Sequence, residues 1–172
     1  MTEYWDLYNA ARQRTGKIIR RGDAIPVGLY HLSASAWIRN SRGDYLLSQR
    51  HPHKSYPLRW ECTGGCIRAG EDSLSGILRE LYEELGLRFS PENATLLYQT
   101  RRETTQDFYD VWLFHSDAPL SSLTLQASEV VDARWCDRAT LETWFHTGKL
   151  HPLIDRLDML PVSYTHLTLP TI

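Results

Sequence analysis

The sequence predicts an α+β fold, a mixed-sheet α/β/α sandwich, in a single domain over residues 1–161. Three observations predict it. Short segments rich in aromatic and β-branched residues outnumber the helical ones and do not alternate strictly with them, which argues against a doubly wound sheet. One stretch, residues 72–86, carries a full helical apolar face with a capping residue at each end. The chain has 172 residues, 42% hydrophobic and 23% charged, which suits one ordinary globular domain with a core of useful size.

The elements follow in order. Residues 3–23, EYWDLYNAARQRTGKIIRRGD, read as strand, polar turn and strand, an N-terminal β extension. Residues 33–50 read as a hairpin: Trp37 and Ile38 precede the turn Asn40-Ser41-Arg42-Gly43, and Tyr45-Leu46-Leu47 follow it. Residues 50–59 form a loop, since Pro52 and Pro57 interrupt any period. A short strand, Trp60-Glu61-Cys62-Thr63, ends at Gly64-Gly65. In the helix that follows, Asp72 or Ser73 caps the start. Leu74, Ile77, Leu78, Leu81 and Leu85 share one face, and Gly86 stands where a left-handed cap favours glycine. Residues 94–104, 107–116 and 129–136 read as strands. Residues 139–149 read as a second amphipathic helix and 151–160 as a third. Trp37 and Trp112 are expected in the core, where pairing of the two on one sheet would be ordinary packing. Trp135 and Trp144 are expected in the core, and His115, His146 and His151 at or near the surface.

Charge and cysteine usage exclude several classes. A formal net charge of -2 and a pI near 6.4 give no extended nucleic-acid surface. Cys62, Cys66 and Cys136 suit a reducing compartment better than a disulfide framework. Cys62 and Cys66 have no second Cys/His pair at zinc spacing. No apolar run approaches the roughly 20 residues that span a bilayer, and the N-terminus lacks a signal-like block. The expectation is a soluble cytoplasmic protein. Residues 162–171, VSYTHLTLPT, look like the translation of a transposase adapter used in sequencing libraries. Residues 162–172 are therefore set aside as a fusion scar, with native sequence after Pro161 expected to be missing.

The helix at 72–86 also has an acidic side: Glu80, Glu83 and Glu84 crowd little more than one turn. Like charges at helical spacing destabilise by roughly 0.2–0.5 kcal/mol per pair, so something must favour them. Position by position, Gly65, Glu71, Arg79-Glu80-Leu81, Glu83-Glu84 and Gly86-Leu87 fit the pattern G-x5-E-x7-R-E-U-x-E-E-x-G-U, with U a bulky apolar residue. Chance would produce that match at one start position roughly once in 10⁹. The pattern is the Nudix box, and the chain resembles the Nudix hydrolases from about residue 30 to 150.

The resemblance implies metal-dependent hydrolysis of a diphosphate linked to another moiety, with Mg²⁺ or Mn²⁺ as cofactor. Glu83 and Glu84 are then the main metal ligands, and Glu80 binds metal or helps activate water. Arg79, with Glu71, orients these carboxylates. The Gly64-Gly65 turn lets a backbone carbonyl near Gly65 approach the ion. Hard divalent ions take oxygen ligands, so the like-charge penalty belongs to the metal-free state. A further acid outside the box has two candidates, Glu129 and Asp110. In the loop, Arg50, His51, His53 and Lys54 are candidates for phosphate contacts, with Arg50 and His53 foremost. Tyr56 and Trp60 are candidates for stacking, although Trp60 is expected in the core. The implied partner is a small-molecule diphosphate, with no polymeric nucleic acid and no membrane, and with a homodimer left open.

Within that superfamily the N-terminal half resembles the isopentenyl-diphosphate-isomerase-like branch. The isomerase's cysteine falls at Gly65, two of its metal histidines at Ala24 and Ile67, and its catalytic glutamate at Asp110; only His31 matches. Cys66 is adjacent to the required position but belongs to the other face of a strand. The scaffold thus resembles the isomerase while the residues suit hydrolysis. Isomerisation and a non-catalytic nucleotide-binding module are the alternatives.

Overall fold

The computed structural model describes residues 1–162. The expected adapter-like tail therefore lies outside the described residues, except for Val162. Strands β1 (Tyr4–Tyr8) and β2 (Arg14–Arg20) form the N-terminal antiparallel hairpin. The main sheet contains β3 (His31–Arg39), β4 (Tyr45–Arg50), β5 (Trp60–Glu61), β6 (Thr63–Cys66), β7 (Thr95–Arg102), β8 (Asp107–His115) and β9 (Val130–Cys136). Helices α1 (Ser73–Leu85) and α2 (Arg138–His146) complete the α+β arrangement.

The central strand is β3, buried along eight of its nine residues. A strand covered on both faces reads as a continuous apolar and small-residue run, and HLSASAWI does so. Along one edge β3 pairs in parallel with β8 over its whole length, His31↔Asp107 to Arg39↔His115. The other edge is shared. Here β6 pairs antiparallel from Ser33↔Cys66 to Ala36↔Thr63, while β4 meets β3 only at Arg39↔Tyr45. Strand β4 instead pairs with β9, Tyr45↔Cys136 to Arg50↔Val130, and with β5. Residues 33–50 thus turn as expected but do not form a paired hairpin. The two strands part, and the chain at Trp60–Cys66 crosses from the edge of β4 to the edge of β3. The site is built at this parting.

Side-chain alternation on β3 makes two cores. Leu32, Ala34, Ala36 and Ile38 pack with Ile77, Leu81 and Leu85 of α1. Trp37 packs on the other face with Tyr45, Leu47, Val111 and Trp144 of α2. Each of these large side chains, fully buried, contributes roughly 1.5–3 kcal/mol. Trp112 registers with Ala36 and therefore faces away from Trp37, so the two do not pair; Trp112 is half-buried. The Trp112 indole instead donates to Ser73 Oγ at 2.9 Å. Trp60 and Trp144 lie in the core, Trp135 is half-buried, and His115 and His146 are exposed.

Helix α1 keeps its predicted caps. Asp72 accepts from Ser75 N at 2.7 Å, and the Ser75 hydroxyl accepts from Asp72 N at 3.0 Å. Gly86 ends the helix at φ 72, where a Cβ would also sit 2.9 Å from Thr124. The third predicted helix is absent. Residues 151–160 form turns closed by Ile154 N to His151 O and Leu160 N to Leu157 O. Ile154, Leu157 and Leu160 are still buried, because the segment lies along the α2-side core. His151 is buried there as well, contrary to its expected place near the surface. Among the described residues no helix is long and apolar enough to cross a membrane.

Candidate metal centre and substrate cavity

Arg79 organises the acidic side of α1. Its Nε and Nη2 donate to the two oxygens of Glu71 at 2.7 and 3.0 Å. Its Nη1 donates to Glu80 Oε1 at 2.8 Å and to Glu83 Oε2 at 3.1 Å. The fork geometry of a guanidinium suits this, since one planar group can fix three carboxylates. A second arginine extends the chain: Arg68 donates to Glu83 Oε1 at 3.4 Å and to Glu3 Oε1 at 3.1 Å. Glu3 also accepts from Arg21 at 2.7 Å. The N-terminal hairpin is thereby tied to the helix.

Burial divides the acids. It works against the Glu71 carboxylate, but the Arg79 fork and the Arg68 backbone N–H outweigh it and hold the pKa below normal. For Glu80 burial wins, only partly offset by Arg79, and its pKa is raised. Glu84 is the extreme. It is 5% exposed and, among the described residues, receives no side-chain hydrogen bond. Burial and the neighbouring Glu80 charge push its pKa up to about 8. A carboxyl nearly buried without a partner is costly.

The glycines are required by close approach. A Cβ on Gly65 would lie 2.9 Å from the Glu80 carboxyl carbon, and one on Gly64 would lie 2.6 Å from Ala34 O. Neither glycine ends the strand as predicted; both lie inside β6. Their backbone can therefore pass directly against the carboxylate and the central strand.

Glu61 and Glu129 face the same region from β5 and the segment before β9. Both lie near enough to Glu84 to disfavour its ionised form. Burial also raises the Glu61 pKa, although Arg50 Nη1 donates to Glu61 Oε2 at 2.7 Å. Lys54 Nζ lies 2.6 Å from Glu129 Oε2. Beside these groups opens a cavity of about 420 Å³, lined by Glu61, Gly64, Gly65, Cys66, Lys54 and His151 among others.

The remaining predicted residues are placed differently. Arg50 is 8% exposed, and besides Glu61 it donates to Ser55 O at 2.7 Å and Ser55 Oγ at 3.1 Å. It clasps the loop and also lines the cavity. His53 is exposed, stacks at a tilt on His51 and does not line the cavity. Asp110 is corrected as a further acid. It is fully buried and taken by Arg12, which donates to it through both Nη atoms, and by Gln99 at 3.2 Å. It lines a different groove, beside the start of α1. Of the two outside acids, Glu129 is the one brought to the cluster.

Residues 29–157 match the family model described as the NUDIX domain. The chain belongs to the Nudix family. An uncharacterized Nudix hydrolase of Listeria monocytogenes is 34% identical over 152 residues, covering 87% of this chain and 89% of the relative. An isopentenyl-diphosphate Delta-isomerase of Shigella flexneri is 28% identical over 145 residues, covering 80% of this chain and 79% of its own. The crystal structure of a Deinococcus radiodurans protein, DR0079, shares the fold at a TM-score of 0.70 and 24% identity, over 89% of this chain and 96% of that one. The chain is thus a Nudix hydrolase, with lower-identity similarity to the isomerases, and the family supports pyrophosphate hydrolysis in general.

Nudix hydrolases generally use divalent metal ions, and the residues of this one fit such an ion. The donors are hard oxygens, and the partnerless carboxyl of Glu84 is an incomplete site without a cation. Among the described residues no three of His, Cys, Asp and Glu already stand close enough to enclose an ion. The arginines explain that spread, because Arg79 and Arg68 draw Glu80 and Glu83 toward themselves.

Two residues tied to the acid cluster escaped the sequence. Glu61 carried a faint signal, a lone acid between the core residues Trp60 and Cys62. Glu3 carried none, since its role depends on Arg68, which lies 65 positions away. Cys66 registers with Ser33 and Gly65 with Ala34, so the two point to opposite faces as expected, and the Cys66 thiol lines the cavity. Burial pushes that thiol up to about 11.

Proposed function

We propose that this Nudix hydrolase cleaves a small-molecule diphosphate linked to another moiety, with Mg²⁺ or Mn²⁺ bound by Glu80, Glu83, Glu84 and a backbone carbonyl at Gly65. The observation that carries the reading is the buried, partnerless Glu84 carboxyl beside Glu80. Such an ion, when bound, polarises the phosphoryl oxygen and acidifies the attacking water. Arg79 holds Glu80 by Oε1, which leaves Oε2 available to accept a proton from that water. Arg79 and Arg68 fix Glu83 from two sides. Glu129 is the outside acid that supports the cluster. The cavity of about 420 Å³ is large enough to receive the non-phosphate part of the substrate. The free thiols of Cys62, Cys66 and Cys136 support a reducing, cytoplasmic setting.

Hydrolysis is favoured over isomerisation by the space at Gly65. A side chain there would meet the Glu80 carboxyl at 2.9 Å, so the position that carries the isomerase cysteine is filled by a metal-site acid. The test is turnover of the full chain with Mg²⁺ or Mn²⁺ on nucleoside triphosphates, nucleotide sugars, ADP-ribose, dinucleoside polyphosphates, NADH, coenzyme A and isopentenyl diphosphate. Products are read by mass. Metal-dependent cleavage of one class, absent in Glu84→Gln, is expected. Alkene interconversion of isopentenyl diphosphate without cleavage would overturn the reading.

A further inference from the structure

One face of the main sheet forms the floor of the cavity. On that face β3 and β8 run from an apolar end, Trp37 with Val111 and Leu113, into a polar one. There Ser33 registers with Tyr109 and His31 with Asp107, β6 brings Cys66 beside Ser33, and β7 brings Arg102 beside Asp107. These six residues all line the cavity. Burying polar groups is costly unless each is bonded, so a purely packed interior would carry apolar side chains at these positions.

Most of the floor's bonding capacity is spent within it. Asp107 accepts from Arg102 Nε at 2.9 Å, from Arg102 Nη2, from Ser33 Oγ and from Thr105 Oγ1 at 2.6 Å. Ser35 Oγ and Tyr109 OH lie 2.6 Å apart. His31 Nδ1 is unbonded but buried, and its ring is stacked on Trp5 at 4.2 Å. Arg102 differs. Its guanidinium lies over the Tyr109 ring, 4.1 Å from the centroid, and bonds through Nε and Nη2 alone. Nη1 bonds to nothing among the described residues and stays accessible. A rigidly held pair of N–H donors is therefore left open at the floor.

The cavity is polar but balanced. Among the described residues that line it, Arg21 faces Glu3, Arg50 faces Glu61, Lys54 faces Glu129 and Arg102 faces Asp107. Burial lowers the pKa of His31 and of His151, so both rings are neutral near pH 7. Beyond the diphosphate itself, a further anion meets no unpaired cation there. A hydrocarbon would strip water from the Arg102 donors and replace it with nothing. A neutral group that carries hydroxyl oxygens avoids both costs.

We propose that Arg102 is a specificity-determining residue: its free Nη1 donates to a hydroxyl oxygen on the non-phosphate part of the substrate, which is a neutral, hydroxyl-bearing group such as a sugar. This rests on the hydrolase reading above and deepens it by naming the class of the second moiety. It sets the protein apart from enzymes whose diphosphates carry a hydrocarbon.

The test uses the full chain with Mg²⁺. ADP-ribose and UDP-glucose are the hydroxyl-bearing substrates, and isopentenyl diphosphate is a competitive inhibitor without a hydroxyl. Wild type is expected to cleave at least one of the two substrates. Arg102→Lys keeps a charge for Asp107 but loses the planar fork. Its KM for that substrate should rise about tenfold with kcat nearly kept, the scale of one hydrogen bond from a charged donor and the mark of lost uniform binding. Its inhibition by isopentenyl diphosphate should match wild type within about twofold, a split that a merely structural arginine would not give. Arg102→Met/Asp107→Asn removes the pair without stranding a buried charge and should raise the same KM, which covers a failure of Arg102→Lys to fold. Melting curves check both variants. An unchanged KM, or a KM and an inhibition constant that rise together, overturns the proposal. If wild type cleaves neither substrate but cleaves another diphosphate with metal, this proposal alone fails. If wild type cleaves no diphosphate at all, the hydrolase reading fails and this proposal with it.

Discussion

Replacing Glu84 by glutamine should make the metal-free protein more stable while abolishing its metal-dependent chemistry. The carboxyl's pKa is raised from 4.5 to about 8, so folding favours its protonated form. The sign follows from proton linkage: between those two values the folded state holds more protons than the unfolded state, and stability falls as pH rises. The cost is nearly absent below pH 4.5, grows through neutrality and levels off above about pH 8. At 1.36 kcal/mol per pKa unit it is about 3 kcal/mol at pH 7 and about 5 kcal/mol above pH 8, both upper bounds. Glutamine carries no charge to desolvate, so Glu84→Gln should recover most of this. In a domain of this size about 3 kcal/mol corresponds to a rise in Tm of roughly 6–12 °C. The assay is thermal melting in chelator at pH 5, 7 and 8.5, with the gain small at pH 5 and largest at pH 8.5. Adding Mg²⁺ should stabilise wild type and leave the variant unmoved. A variant that melts below wild type at pH 8.5 in chelator would refute the desolvation reasoning. One that retains wild-type metal-dependent turnover would refute the metal assignment.

Gly65→Ala should leave Tm within a few degrees but reduce turnover at least tenfold, because its methyl would displace the Glu80 carboxyl; a kinetic assay on the identified substrate checks it. Asp110→Asn should destabilise by about 2–3 kcal/mol, since it strands the Arg12 guanidinium in a largely buried pair. Its kcat per folded molecule should stay near wild type, and a large loss would return Asp110 to the catalytic acids. Gly86→Ala should cost about 1–2 kcal/mol in denaturant melts, from the left-handed φ of 72 and the contact with Thr124.

What was legible in the sequence was local. The α1 caps and apolar face were readable because helix periodicity and capping act over a few residues. The box was readable because metal chemistry requires acids at fixed helical spacing. Strand pairing was not. Residues 33–50 have every sign of a hairpin, yet nothing nearby in the chain states that β8 and β6 will occupy the edges of β3. The third helix failed for a related reason: Ile154, Leu157 and Leu160 recur every three residues, and either a helix or a chain of turns laid on the core satisfies that spacing. Asp110 misled because its partner Arg12 lies 98 positions away. Arg50 was legible as a polar loop residue but its bonds to Ser55 and to Glu61, 11 positions on, were not.

The parting of β4 from β3 separates two kinds of change open to this protein. The acids of α1 and the glycines of β6 occupy one side of the gap and are fixed by close contact with each other. The cavity shares Gly64 and Gly65 with that side, and its other walls include Arg21 just beyond the N-terminal hairpin, Lys54 to Tyr56 on the loop after β4, and residues between His151 and Ile154 after α2. These wall segments are held by partners outside the acid helix: Arg21 by Glu3, Lys54 by Glu129, and His151 N by Trp60 O. Substitutions there can alter which molecule enters without moving the acids of α1. A preference for a new substrate is therefore accessible by exchanging three short stretches that wall the cavity, with the acid helix carried over intact.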